Sequence, residues 1–412
     1  MGLCSHPLQK TYHMKTKFTI SAILSLAITP AMALTPNASG VYEIANAQQL
    51  EEFAAIVNAG ETTARAILTD DIDMDGIKHT PIGNSADKAF KGTWDGQFHT
   101  ISCLNMEETT GSNLALFGFA GVGVKISNTI IDDLSSFFGE DKCAAFVGEC
   151  IDSQEGFAEF TCLGTAAAVH AYSEDSKKGR ASALVGPSDG NVAYRFTNCY
   201  NQGEVRGVKV GGMSCDAPKA VCSGCYTVTN VKKQATADAK AGNPGKVGTM
   251  VIAGVEDFVE KWGYNFFFGG SASNPTVFYP NVVDSNIKWT NYDEPAEANN
   301  HGVYKVFEET WASTGAMCWF LNNCSDENPV WGQNLDEMEL YPTFVPGSLV
   351  VTKKAGSFEF ENTDRTTTSA VSEISVDSRE ESDEIYTIQG IRVENANVPG
   401  LYIIKGKKVL VK

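Results

Sequence analysis

Arg195, Glu204, Arg206 and Lys209 fall within one fifteen-residue stretch, with Asp189 six residues ahead of it. A carboxylate set among basic groups on an exposed surface can serve as acid, base or charge stabiliser, as polysaccharide hydrolysis or elimination requires. The same alternation of sign is also the ordinary way for an exposed face to stay soluble. No other acidic pair repeats with this one, so no residue is assigned a catalytic role. Arg195, Tyr200, Glu204, Arg206 and Tyr226 are read instead as candidate ligand-binding residues at strand ends and loops. Asp71-x-Asp73-x-Asp75-Gly76 matches the opening of a calcium loop, in which alternating carboxylates wrap a hard cation and glycine permits the turn. Its twelfth position is Ile82, where a bidentate Glu belongs, so the stretch reads as a strand ending in an acidic turn and no metal is assigned.

The cysteines raise two further chemistries. Cys222-Ser223-Gly224-Cys225-Tyr226 is similar to the local sequence around a papain-type nucleophile, with Ser and Gly transposed. Such a thiol needs a positioned His, and His301 is the only downstream one. Cys215, Cys222 and Cys225 could give three thiolates to zinc, but no second C-x-x-C stands at zinc spacing. The sequence thus implies no cofactor. Eleven cysteines less Cys4 in the leader leave ten in an exported chain. Disulfides such as Cys318–Cys324 and buried stacked thiols are equally open.

The elements that must position these residues repeat. Phe117-Gly118, Phe146-Val147-Gly148, Leu184-Val185-Gly186 and Met213-Ser214-Cys215 each follow a small-residue lead-in and precede a β-type run, at spacings of 29, 38 and 29 residues. Such units cannot bury their apolar faces alone; stacked about 4.8 Å apart they pair every backbone group and align like side chains in columns. Phe160-Thr161-Cys162, Thr197-Asn198-Cys199-Tyr200 and Gly224-Cys225-Tyr226 read as one strand written three times, which predicts a column of Cys162, Cys199 and Cys225. The longer middle interval is assigned to a charged loop over Ser173 to Arg180. The expected fold class is all-β, a parallel β-helix.

The small-residue, Leu/Phe-Val-Gly, Asn-Cys-Tyr-x-x-Gly-x-Val pattern resembles the GLUG-type repeats of bacterial surface proteins. It is clearest from Ala183-Leu184-Val185-Gly186 to Thr197-Asn198-Cys199-Tyr200-Asn201-Gln202-Gly203-Glu204-Val205. Phe90 to Ile101 is similar to the first coil of that family, and the resemblance spans roughly residues 41 to 345. It implies a right-handed β-helix in a cell-surface, adhesin-like setting and carries no catalytic residues. Cys215, where glycine is expected, predicts a distorted fourth coil.

Lys15 and Lys17 precede an apolar run from Phe18 to Ile28, and Ala31-Met32-Ala33 has the form of a signal-peptidase site. Residues 1–33 are read as a signal peptide, with 1–13 as an upstream extension ahead of Met14. No later run reaches the eighteen apolar residues of a transmembrane helix. Removing three lysines and no acid moves the formal charge from −18 to −21, which disfavours nucleic-acid partners. Asn46 opens an expected helix with Leu50, Phe53, Ala54 and Val57 on one face, suited to capping the solenoid. Residues 34–235 are assigned to this cap and the repeats.

Residues 236–350 are assigned to closing the far end, with Met317, Phe320 and Leu321 as core. Residues 351–384, rich in Ser, Thr, Asp and Glu, are read as a linker. Residues 385–412 form a small β module whose Gly-Leu-Tyr-Ile-Ile-x-Gly-Lys-Lys-Val string resembles the C-terminal sorting modules of Bacteroidetes type IX cargo. That resemblance implies outer-membrane secretion machinery as a partner. The expected function is a secreted or cell-surface binding protein for a glycan or an extracellular host or matrix protein. A carbohydrate-active β-helix enzyme, lyase or hydrolase, is the alternative.

Overall fold

Short apolar strands ending at glycine or asparagine corners stack here into a parallel β-solenoid. The computed structural model describes residues 34–228 apart from 176 and 218, and residues 312–363 apart from 323–327, 338 and 358. It also describes the backbone of strands at 231–233, 246–248, 265–268, 290–291, 303–306, 385–387, 392–393, 400–404 and 407–411. The expected signal peptide lies outside the described residues, and so does Val255–Trp262, which the sequence reads as a short helix.

Among the described residues a broad sheet of fourteen strands runs along the solenoid, and a sheet of five strands forms a second face. The third face is made by Phe117–Ala120 with Val147–Cys150, extended by single bridges, and by Arg180–Ser182, Lys209–Gly211 and Lys246–Gly248. The broad sheet brings Tyr42, Ala66, Trp94, Ile126, Phe160, Phe196 and Cys222 into one inward column, all buried. Burying a large apolar side chain contributes about 1.5–3 kcal/mol, so each coil is held mainly by its neighbours. A second inward column changes character along the axis: Ile72, Ile101 and Ile131 give way to Thr165, Asn201 and Thr227. These buried polar groups find partners in the column or in the turn that follows each strand. The Asn201 amide donates to Thr227 Oγ1 at 3.1 Å, and Asn201 Oδ1 accepts from the Gly203 N–H at 2.8 Å.

The cysteine column differs from the sequence expectation by one residue. Thr161, Thr197 and Ser223 are paired, as are Gly164, Tyr200 and Tyr226. Cys162 therefore stands level with Asn198 and Gly224, while Cys199 stands level with Cys225. The reason is a stacked left-handed corner: Asn128, Cys162, Asn198 and Gly224 have φ of 51°, 53°, 53° and 64°. At Gly224 a Cβ would also fall 2.4 Å from Asn198 Oδ1.

The solenoid starts with α1 (Ala47–Ala59), capped by Asn46, whose side chain accepts from the Gln49 N–H. Its buried face is Ala47, Leu50, Phe53, Ala54 and Val57, and Phe53 packs on Tyr42, Phe90 and Trp94 with ring centroids 5.6–6.1 Å apart. Buried His79 fastens the helix to the coils, its ring nitrogens facing Glu51 Oε1 at 2.5 Å and the Leu116 carbonyl at 2.9 Å.

The expected domain limits shift in two places. Parallel pairing does not stop at residue 235: Asn265–Phe268 pairs with Tyr226–Thr227, and Val303–Val306 pairs with Asn265–Phe268. Nor is 351–363 linker, because Val351–Lys353 pairs antiparallel with Phe360–Asn362. Residues 312–363 pack on the outer side of the broad sheet rather than across the solenoid's end. Their core joins α2 (Ala316–Leu321), Trp331, Phe344 and Val351 to Cys162, Tyr200, Tyr226 and Val228. Met317, Phe320 and Leu321 are buried there as expected. The C-terminal strands 385–387, 392–393, 400–404 and 407–411 make a separate four-stranded antiparallel sheet. No helix among the described residues is long and apolar enough to cross a membrane.

Candidate functional site

The second face presents the most developed polar cluster among the candidate residues. In its strands an inward apolar residue is followed by an outward one: Met106-Glu107, Phe137-Phe138, Val169-His170, Val205-Arg206. Register sets Glu107, Phe138, His170 and Arg206 side by side on successive coils. The Phe138 and His170 rings stack at 4.5 Å and 17°. His170 Nε2 lies 3.2 Å from Glu204 Oε1. Arg206 forks onto the same carboxylate, Nε at 2.5 Å from Oε1 and Nη2 at 2.9 Å from Oε2. The side chains of His170, Glu204 and Arg206 are 30%, 25% and 44% exposed, so the cluster is ordered by its own contacts yet open to solvent.

A lengthened coil adds a loop at the edge of this face. Ala171 to Ala181 takes ten residues where the aligned Gly139 to Cys143 takes four. The loop's base is fastened to the preceding coil. Lys178 Nζ sits 3.0 Å from Glu140 Oε1, and Arg180 donates from Nε and Nη2 to Asp141 at 3.0 and 2.5 Å. The Asp141 and Glu140 contacts raise the proton affinity of Arg180 and Lys178, although burial of Arg180 works the other way. Tyr172, 45% exposed, projects beside the face and donates to Glu174.

The five residues singled out from sequence do not form one site. Glu204 and Arg206 are together on the second face. Arg195 is on the broad sheet, in a ladder with Lys125 and Glu159 and with its guanidinium 3.6 Å from the Phe157 ring centre. There the Lys125 hydrogen bond holds the Glu159 carboxyl below its ordinary range, burial opposing and Arg195 assisting. Tyr200 and Tyr226 are buried, stacked on each other at 5.5 Å beneath Trp331 and Phe344, and Tyr226 Oη donates to the Pro342 carbonyl at 2.5 Å. They are packing residues, a correction that follows from 312–363 covering the broad sheet. Lys209 pairs with Asp216, and Asp189 accepts from the Asp152 N–H. Phe138 and His170 were missed, although the apolar-then-outward dipeptide at coil spacing marks both.

The other candidates are placed as follows. Asp71 accepts from the Thr100 N–H and faces His99 Nδ1, and Asp73 accepts from the Asp75 N–H. Among the described residues no group of three His, Cys, Asp or Glu is placed to hold a metal ion. Cys318 is buried, and Cys324 lies outside the described residues. Cys215 fits the fourth coil where glycine was expected, its N–H bonded to Ser182 Oγ at 2.9 Å.

No protein-family profile matches the chain, and no curated protein matches it. A solved structure similar to it is that of a "putative immunoglobulin A1 protease from Bacteroides ovatus", at 17% identity and a TM-score of 0.45. The match covers 75% of this chain and 93% of that one.

Proposed function

We propose that this chain is a secreted or surface binding protein whose second face receives an extended glycan or an extracellular protein. The observation that carries this reading is the preformed Phe138–His170–Glu204–Arg206 cluster beside exposed Tyr172. Aromatic faces beside a fixed fork of donors and acceptors suit sugar rings and peptide groups alike. Because the strands beneath are locked by coil-to-coil pairing, contact costs little ordering entropy. The test is attachment of the purified chain from Leu34 to arrayed glycans and matrix proteins. Phe138→Ala should weaken the best ligand about tenfold, or about 1.4 kcal/mol. Arg195→Ala, on the other sheet, should leave it unchanged. Equal losses from both would remove the second face as the site.

A carbohydrate-active enzyme is the second reading, favoured by the half-exposed His170 imidazole against the Glu204 carboxylate, a pairing that can orient a general base. Incubation with uronic-acid polysaccharides and mucin decides between the two. Intact substrate is expected of a binding protein, and cleavage abolished by His170→Ala would establish the enzyme.

Export rests on the Ala31-Met32-Ala33 site and on the likeness of 400–409 to a type IX sorting module. Deleting residues 386–412 should leave the protein in the periplasm. Unchanged surface display would remove the sorting role.

A further inference from the structure

Three thiols that the binding reading does not use meet at a corner of the broad sheet. Cys199 and Cys225 occupy level positions on adjacent parallel strands, as the Tyr200–Tyr226 pairing one residue later requires. Strands so paired stand about 4.8 Å apart, inside the Cα separation of about 4.4–6.8 Å that a disulfide spans. The two side chains already meet: the Cys199 N–H donates to Cys225 Sγ at 3.4 Å, and the Cys199 and Cys225 thiols are themselves hydrogen-bonded. Cys222, three residues back in the inward column, touches Cys225 as well. All three are buried among apolar residues.

We propose that Cys199 and Cys225 form an inter-coil disulfide when the chain folds in an oxidising compartment. It would tie the 26-residue step between these coils beneath the docked 312–363 unit. The chemistry is thiol–disulfide exchange with an external disulfide, RSSR, such as glutathione disulfide or an oxidase. The Cys225 thiolate attacks one sulfur of RSSR, forming a Cys225–SR bond and releasing RS⁻. The Cys199 thiolate then attacks Cys225 Sγ, forming the Cys199–Cys225 bond and releasing the second RS⁻. The two protein thiols give up two protons and two electrons, and RSSR leaves as two thiols.

Cys225 is the suited attacking group. Burial works against ionising any of the three, but the Cys199 and Cys222 side chains both hydrogen-bond Cys225, and the Cys199 N–H donates to its sulfur as well. Those bonds pull its thiol down while burial pushes the other two up. The folded cluster is shielded, so exchange occurs as the coils close, when Cys199 and Cys222 have reached Cys225 but solvent still has access. The partner disulfide chemistry depends on export only for where the oxidant comes from.

The full chain from Leu34 is refolded once in a glutathione disulfide buffer and once in dithiothreitol. Each sample is then alkylated in denaturant without further reduction. The oxidised sample should show two fewer alkylated sites and a Cys199–Cys225 linked peptide after proteolysis, and its Tm should be several degrees higher. Cys222→Ser should keep both the linked peptide and the shift; Cys199→Ser should lose both. Full alkylation of Cys199 and Cys225 in oxidised wild type would overturn the proposal, and so would a Cys222–Cys225 cross-link. The wild-type peptide map alone decides this if a variant fails to fold. Failure here leaves the second-face reading standing, because the alkylation count does not depend on ligand.

Discussion

Gly186→Ala is expected to destabilise the solenoid by about 3 kcal/mol or more, the range of an overpacked site that cannot relax. Gly118, Gly148 and Gly186 stand level on the third face, because Phe117 pairs with Val147 and Val147 with Val185. A Cβ at Gly186 would lie 1.8 Å from the Gly148 carbonyl oxygen, and one at Gly148 would lie 2.8 Å from the Gly118 oxygen. The atom met is backbone, fixed on its other side by pairing, so it cannot swing away as a side-chain tip would. Gly186 is held from three directions. Its N–H donates to the Val147 carbonyl at 2.7 Å, and its carbonyl accepts from Tyr194 Oη at 3.1 Å and Ser214 Oγ at 3.0 Å. Relief by shifting the coil would therefore break bonds in both neighbours. Gly347→Ala is the control, since its Cβ would meet only the Phe344 carbonyl oxygen at 3.8 Å. Denaturant melts should move the first variant's midpoint far down and the second's within about 0.5 kcal/mol. Equal midpoints would mean that the coils do not approach so closely there.

That glycine column was legible in the sequence, and so was α1, because both depend on local pattern. A Leu-Val-Gly written at coil spacing needs no knowledge of the rest of the chain. The helical stripe of Leu50, Phe53, Ala54 and Val57 needs only its own period. What escaped depends on a single residue of register or on distant chain. Cys162 falls out of step with Cys199 because each coil spends one residue on a left-handed corner, and Cys162 takes there the conformation that Asn128 and Asn198 take on the coils either side. Tyr200 and Tyr226 read as binding residues from their place at strand ends, and their side chains do point out of the solenoid. Only the fold-back of residues 312–363, over a hundred positions away, turns that outward side into core. The hairpin at 351–362 has linker composition, and Asn362 holds it by donating to the Gln333 carbonyl at 2.6 Å. The Phe138–His170 stack escaped because no single segment contains it; it exists only once two coils are in register.

The same fold-back sets up the other large effect. Trp331→Ala is expected to cost about 3–5 kcal/mol, as truncation of a fully buried Trp does, and to release the 312–363 unit while leaving the solenoid folded. Trp331 is buried against Tyr226, Tyr200 and Phe344, with ring centroids 5.5, 6.0 and 5.1 Å away. Its Nε1 donates to Asn198 Oδ1 at 3.4 Å, and Asn322 clasps its backbone from both sides. The apolar contacts of 312–363 with the coils form a cluster separate from the solenoid's inner core. Removing the Trp therefore empties the seam without opening the stack. Backbone pairing and the inner column from Tyr42 to Cys222 hold the coils independently, as nearest-neighbour stacking requires. Amide hydrogen exchange should then rise across 312–363 while strands at 125–131 and 156–165 keep their protection. A matched rise in both would show that the docked unit and the coils unfold as one, and that the buried tyrosines of the broad sheet cannot stand exposed.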